Sequence, residues 1–239
     1  MSEQSENEIN CIDAKVVLIG ESGVGKTCII KQFTVHTFDP DCQVSISSQF
    51  TSKIVTISGT NKAIRYDLWD TAGQEKYRSL AKIFYKDAKI IIFVYEISSK
   101  KSFDSLQSYW YKEVSANCLS NAIFALVGNK NDLYNIAEVE EKDAMDWADS
   151  IGAIFQTTSA KSNIGIDLLF DNIGKKCLNP KFNYKKEEEL KRKNYEKKKE
   201  KKNKKIDDDD EEEINSNLQE PKSIKINNKE EKGKLKNCC

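Results

Sequence analysis

Ala14-Lys15-Val16-Val17-Leu18-Ile19-Gly20-Glu21-Ser22-Gly23-Val24-Gly25-Lys26-Thr27 is the stretch that decides the fold. Its first six residues are a short apolar run of the kind that a parallel sheet buries on both faces. Its last eight match G-x-x-x-x-G-K-[ST], and residues 26–33 have helical character. Strand, Gly-rich turn and helix in that order make a cradle for a chain of phosphates. Backbone N–H groups of the turn and the helix N-terminus face the anion, and glycine lets the main chain approach it closely. Lys26 adds a point charge at the β- and γ-phosphates, and the Thr27 hydroxyl can ligate Mg²⁺. Glu21, Ser22, Gly23, Val24, Gly25 and Cys28 complete the expected contact set of this turn.

Outward from this run the pattern repeats. Residues 89–95 (KIIIFVY) and 122–127 (AIFALV) are further apolar runs, and 153–157 reads as a last strand. Residues 53–57 and 64–69 alternate, as a hairpin through 58–61 (SGTN) would. Helices are expected at 102–114, with Ser102 as N-cap, at 140–151, with Glu140 and Glu141 in its first turn, and at 166–177. Residues 38–48 have no period and read as a loop. Strands alternating with helices imply an α/β fold, its sheet covered on both faces.

The chain has 239 residues with 38 Lys+Arg and 38 Asp+Glu, but the balance is local. Residues 180–239 hold 19 bases and 15 acids, which leaves the remainder net acidic. That argues against a nucleic-acid-binding core. The expected organisation is a polar N-terminal arm (1–12), one domain (13–178) and a disordered charged tail (179–239) too poor in apolar clusters to offset its chain entropy. Within the tail, residues 181–205 are basic and 207–213 (DDDDEEE) wholly acidic. The plainest reading of such blocks is a solvated spacer. Seven cysteines show no C-x-x-C pair, and His36 is the single histidine, so no metal site of that kind is indicated. With no apolar leader and no run of the ~18 residues a membrane span needs, reduced thiols in the cytosol are expected.

Three further segments carry chemistry. Asp67-Leu68-Trp69-Asp70-Thr71-Ala72-Gly73-Gln74-Glu75 puts Asp70 at a strand end, on the side where open α/β sheets bind ligands. A carboxylate there can hold Mg²⁺ through water, the Gly73 N–H can meet a γ-phosphate, and Gln74 can orient an attacking water. Asn129-Lys130-Asn131-Asp132 follows one strand, and Ser159-Ala160-Lys161 follows another. Asp132 can accept from guanine N1–H and the exocyclic N2 amine together. Adenine lacks that pair of donors and would leave a buried charge unpaired.

These elements, in this order and spacing, resemble the small-GTPase superfamily over about residues 14–178. The resemblance implies a P-loop fold with a six-stranded, mostly parallel sheet and five helices, bound GTP or GDP with Mg²⁺, and two loops whose order follows nucleotide state. It assigns catalysis to Lys26 and Gln74 and the metal to Thr27, Ser45 and Asp70. It assigns the base to Asn129, Lys130 and Asp132, with Ser159, Ala160 and Lys161 beside them. Ala160 resembles the residue whose N–H meets the guanine oxygen, and Phe38 the aromatic that packs on the base. Within the superfamily, Lys76-Tyr77-Arg78-Ser79-Leu80, Phe84-Tyr85-Lys86-Asp87-Ala88 and Val94-Tyr95-Glu96-Ile97-Ser98 look like Rab segments. Phe50, Trp69 and Phe84 fall where Rabs place three aromatics that effectors read.

The first switch loop departs from the family. Aligned by Gln43 and Phe50, Ser45 stands where a threonine is usual, Ser47 replaces a glycine, and Cys42 replaces an aromatic. Serine keeps the hydroxyl and loses the methyl that restrains χ1. Cys238-Cys239 resembles the double-cysteine end on which many Rabs are geranylgeranylated, and two lipid chains are what stable attachment needs.

The resemblance therefore implies a slow GTP hydrolase and molecular switch in vesicle-mediated trafficking. It would act as a monomer on the cytoplasmic face of an endomembrane and cycle with the cytosol. Its implied partners are an exchange factor, a GTPase-activating protein, a GDP-dissociation inhibitor, the escort and prenyl-transferase machinery, and effectors; no nucleic acid is among them. A nucleotide-locked scaffold and a soluble Ras- or Ran-like GTPase stay open at this point.

Overall fold

The computed structural model describes residues 11–42, 45, 48–71, 83–187, 189–190, 192–193 and 196. Six strands form one sheet in the order β2-β3-β1-β4-β5-β6. They are β1 (Cys11–Ile19), β2 (Gln49–Thr56), β3 (Ala63–Asp70), β4 (Ile90–Glu96), β5 (Ile123–Asn129) and β6 (Ile154–Thr157). Every neighbour pair is parallel except the hairpin β2–β3, which is antiparallel in the register Phe50↔Trp69. Helix α1 (Lys26–Val35) follows β1. One helical run follows β4, made of α2 (Lys100–Ser105), a π-helical segment (Leu106–Trp110) and α3 (Tyr111–Ser115). A 3₁₀ turn (Asn131–Ile136), α4 (Glu141–Ser150) and α5 (Ile166–Leu178) follow, and residues 83–85 and 184–187 are helical as well.

The unbroken apolar strands explain themselves in the two cores. Along β1, Ala14, Val16 and Leu18 enter one layer with Ile29 and Phe33 of α1 and Leu169, Phe170 and Ile173 of α5. Val17 and Ile19 enter the other, with Phe103, Leu106, Trp110 and Val114 of the 100–115 run and Ala144 and Ala148 of α4. β4 divides its residues the same way. Each such side chain contributes about 1.5–3 kcal/mol by leaving water. In the first layer Phe33 and Phe170 stack with ring centroids 3.6 Å apart, and the Tyr66 hydroxyl donates to Phe170 O at 2.7 Å. Burial pushes the Tyr66 phenol well above its ordinary range, so it stays a donor.

Gly174 lets α5 lie against this layer. A Cβ there would stand 2.6 Å from the Tyr66 hydroxyl and overlap Ile57 Cδ1. Gly174→Ala is expected to destabilise the domain by about 1–3 kcal/mol despite alanine's better helix propensity. Urea denaturation checks this, and a stabilised variant would contradict the packing described.

Two expectations move. The helix after β4 starts at Lys100, not at Ser102. Ser99 is its cap and accepts the Ser102 N–H at 3.3 Å, while Ser102 Oγ turns back to Ser99 O at 2.7 Å. The first strand begins at Cys11 rather than at Ala14, because β3 offers a parallel partner from Cys11↔Ala63 onward and Arg65 pairs with Asp13 at 2.8 Å. At the other end the compact unit runs to Tyr184. The Tyr184 ring packs on the core, its hydroxyl accepts the Phe155 N–H at 3.2 Å, and Lys176 Nζ holds Phe182 O at 3.1 Å. Among the described residues no helix is long and apolar enough to cross a membrane.

Candidate nucleotide site

Strand β1 lies between β3 and β4, so the connections on its two sides run in opposite directions, and its carboxyl end is the switch point at which open α/β sheets form their binding crevice. Residues 20–25 follow β1 at that end. Gly25 caps α1 with φ 97°, a left-handed conformation, and a Cβ there would overlap the Asn129 amide. Position 25 therefore needs glycine twice over, for its φ and for the approach of β5. Lys26 is buried, and its ammonium donates to Gly20 O and Glu21 O, both at 2.9 Å. Burial pulls its pKa down to about 8, against the opposing pull of Asp70 and then Glu21. The lysine is a poorly hydrated cation held by two backbone carbonyls of the turn.

Three oxygen groups converge beside it. Thr27 Oγ1 donates to Asp70 Oδ2 at 2.6 Å, the Ser45 hydroxyl lies 2.5 Å from Thr27 Oγ1, and Ser45 Oγ donates to Asp70 Oδ2 at 3.3 Å. Asp70 Oδ1 is buried with no hydrogen-bond partner. Burial raises the Asp70 pKa, offset first by the Thr27 hydrogen bond and then by Lys26, Ser45 and Lys31. Two hydroxyls and a carboxylate with an unsatisfied oxygen are a hard donor set that suits Mg²⁺. The serine at position 45 brings its hydroxyl to the place the resemblance gives to threonine.

The segments after β5 and β6 are tied to the Gly-rich turn by Asn129. Its Nδ2 donates to Val24 O at 2.8 Å and its Oδ1 accepts from Thr158 Oγ1 at 3.0 Å. Both ends of this buried amide are thus engaged with protein, and it fastens three loops together. Lys130 sits at φ 63° and pairs with Glu96 at 2.7 Å. Asp132 Oδ1 accepts from Ser159 Oγ at 2.6 Å, and Ser159 Oγ accepts the Ser162 N–H at 3.1 Å. Ala160 is buried beside Ser159, whereas Lys161 and Phe38 are exposed. The Cys28 thiol is raised to about 11 by burial and then by Cys42.

One side chain of the expected set goes elsewhere. The Glu21 carboxylate accepts from Ser105 Oγ and, at 3.3 Å, from Trp110 Nε1, so the helical run 100–115 holds it. Glu21 serves the loop through its backbone. The π-helical segment ends at Trp110, and no local spacing in the sequence marks Ser105 or Trp110 as partners of residue 21. Gly73, Gln74, Gln43 and Ser47 lie outside the described residues, as do residues 76–80, Cys238 and Cys239.

On the outer face the three expected aromatics do meet. Phe50 and Trp69 have ring centroids 5.1 Å apart, and Trp69 and Phe84 are 5.7 Å apart. Lys15 Nζ stands 5.6 Å from the Trp69 ring. Phe50 is more than half exposed.

The Ras family model matches residues 15–179. Human Rab-22A is 41% identical over 164 residues, covering 69% of this chain and 83% of its own length. Mouse Rab-31 is 39% identical over 173 residues, covering 72% and 87%. RabJ of Dictyostelium discoideum is 38% identical over 172 residues, covering 72% and 66%. The chain belongs to the Rab family of small GTPases. A Rab GTPase binds guanine nucleotide and hydrolyses GTP. A transferred phosphoryl group spreads negative charge over its oxygens, so positioned cations and N–H groups do most of the work in such chemistry.

Proposed function

We propose that this Rab holds GTP or GDP in the crevice beyond β1 and serves as a switch in vesicle-mediated membrane traffic. The observation that carries the site assignment is the convergence of Thr27, Ser45 and Asp70, with Asp70 Oδ1 unsatisfied, beside the buried Lys26. Lys26 and the backbone of 20–28 hold the phosphates. Thr27, Ser45 and Asp70 would hold Mg²⁺, which neutralises phosphate charge when bound. Asp132, oriented by Ser159, accepts from the guanine edge, and the Ala160 N–H meets the guanine oxygen. Asn129 acts by fastening the loops, and Lys130 is positioned by Glu96. Phe38 lies over the base, and Lys161 borders it.

Gln74 aligns the attacking water. Gln74→Leu is expected to lower the single-turnover hydrolysis rate by about tenfold or more, with nucleotide affinity unchanged, because the amide serves only the water. Quench-flow of GTP-loaded protein reads the rate, and an unchanged rate removes Gln74 from the mechanism.

Effectors read the Phe50–Trp69–Phe84 face in the GTP state. Prenyl groups on Cys238 and Cys239 attach the protein to the cytoplasmic side of an endomembrane, and a GDP-dissociation inhibitor returns it to the cytosol. An exchange factor and a GTPase-activating protein set the two directions of the cycle, and escort and prenyl-transferase proteins load the lipid. The basic and acidic blocks at 181–205 and 207–213 tune how the domain meets an anionic leaflet.

A further inference from the structure

Ser105 and Trp110 stand five residues apart, and both reach one oxygen of Glu21. In an α-helix of 3.6 residues per turn, such a pair points about 140° apart around the axis. The helical run is not an α-helix there. Leu106–Trp110 is π-helical, and the Tyr111 N–H donates to Leu106 O, five residues back. That wider turn brings residues five apart onto one side, and such turns are rare and occur frequently at functional sites. Ser105 Oγ and Trp110 Nε1 thus converge on Glu21 Oε1, the indole at 3.3 Å. Trp110 is buried in the second core layer, which fixes the direction of its N–H. Glu21 is held at its other end too, where its carbonyl accepts from Lys26 Nζ at 2.9 Å. Gly20 before it lies against β4, where a Cβ would overlap Val94 O. Val24 O, past the tip of the turn, accepts from Asn129 Nδ2 at 2.8 Å. The turn 20–25 is therefore anchored by β4 and the helical run at its entrance and by Asn129 at its exit. Ser22 and Gly23 between them are exposed.

We propose that Ser105 and Trp110 are positioning residues for the bound nucleotide, acting through Glu21 to keep the turn 20–25 in the shape that cradles phosphate. The proposal rests on the reading that this turn holds the phosphates. A phosphate chain is bound by N–H groups that must all point inward at once. With its carboxylate fixed to the helical run and its carbonyl to Lys26, residue 21 has little freedom to swing its peptide groups away. A turn already ordered loses less entropy when nucleotide binds. Freed from the run, the turn samples other shapes, and nucleotide leaves through them. Neither Ser105 nor Trp110 belongs to the turn; each acts through the one carboxylate, and the π-helical segment is what lets both reach it.

The test uses the full chain loaded with a fluorescent GDP analogue and Mg²⁺, then chased with excess GDP. Trp110→Phe removes the indole N–H and keeps a packed ring, and Ser105→Ala removes the hydroxyl. Each should speed release by about threefold and the pair by about tenfold, the scale of hydrogen bonds to a charged group. Ser105→Thr, which keeps the hydroxyl, should release at the wild-type rate. Glu21→Ala should speed release as the pair does, and adding Trp110→Phe or Ser105→Ala to it should change nothing further. That non-additivity is the decisive readout, since a general loosening of the core would speed release on either background. Thermal unfolding identifies the variants that are folded. Where the pair does not fold, Ser105→Ala with and without Glu21→Ala decides. Release at the wild-type rate in both Ser105→Ala and Trp110→Phe overturns the proposal, and so does equal speeding with and without Glu21→Ala. A wild-type chain that never retains the analogue contradicts the proposed function, and the proposal falls with it.

Discussion

Asp132→Asn should invert the base preference of this GTPase, from guanine to xanthine nucleotide. The Ser159 hydroxyl holds Asp132 Oδ1 at 2.6 Å, which fixes the plane of the carboxylate. A carboxylate so held accepts from guanine N1–H and from the exocyclic N2 amine. Hydrogen bonds to a charged group contribute about 1.5–3 kcal/mol each, so losing the pair should cost about 10²- to 10⁴-fold in GTP affinity. Asparagine presents one acceptor and one donor. Xanthine, with an oxygen in place of the amine, matches that pair and should now bind better than guanine. Competition of GTP and XTP against a labelled nucleotide measures the ratio. A variant that still prefers GTP removes Asp132 from base recognition.

Lys26→Ala should weaken nucleotide binding by about 10²- to 10³-fold, the scale of a lost charge-assisted contact in a desolvated site. The reasoning starts from burial. Lys26 is 5% exposed and its ammonium donates to two backbone carbonyls, so water screens it little when phosphate arrives. Alanine removes the cation and with it the donor that Gly20 O and Glu21 O share. Gly20 and Glu21 then lose the brace that shapes the loop. Equilibrium titration with a fluorescent GDP analogue reads the loss, and thermal unfolding of the same variant shows that the domain is folded. An affinity within about threefold of wild type would place the phosphates elsewhere.

These two positions were legible because each belongs to a local pattern. Gly25-Lys26-Thr27 announces itself between an apolar strand and a helix, Asp70 ends an alternating strand, and Asp132 stands just past a strand whose apolar run is plain. β1, β4 and β5 were legible because burial on both faces leaves continuous apolar runs, whereas the β2–β3 hairpin was legible from its alternation about residues 58–61. What the sequence concealed depends on contacts between distant segments. Nothing near Glu21 says that Ser105 and Trp110 will take its carboxylate. Nothing near Asn129 says that its amide will be divided between Val24 and Thr158. The helix start was misplaced because Ser99 and Ser102 are both good caps, and Ser99 prevails by accepting the Ser102 N–H. The docking of Tyr184 was not legible because it sits in a Lys- and Glu-rich stretch whose composition hides one packed ring.

The central claim is that the crevice bounded by residues 20–28, Asp70, 129–132 and 159–161 is a guanine-nucleotide site that turns GTP over. The most direct measurement is to load the purified chain with GTP and Mg²⁺, remove free nucleotide, and follow the bound species by chromatography of acid-quenched samples. The account predicts GTP held through gel filtration, conversion of the bound GTP to GDP on a slow time course, and no comparable retention of ATP. Retention of ATP as firmly as GTP, or bound GTP that never becomes GDP, would contradict it.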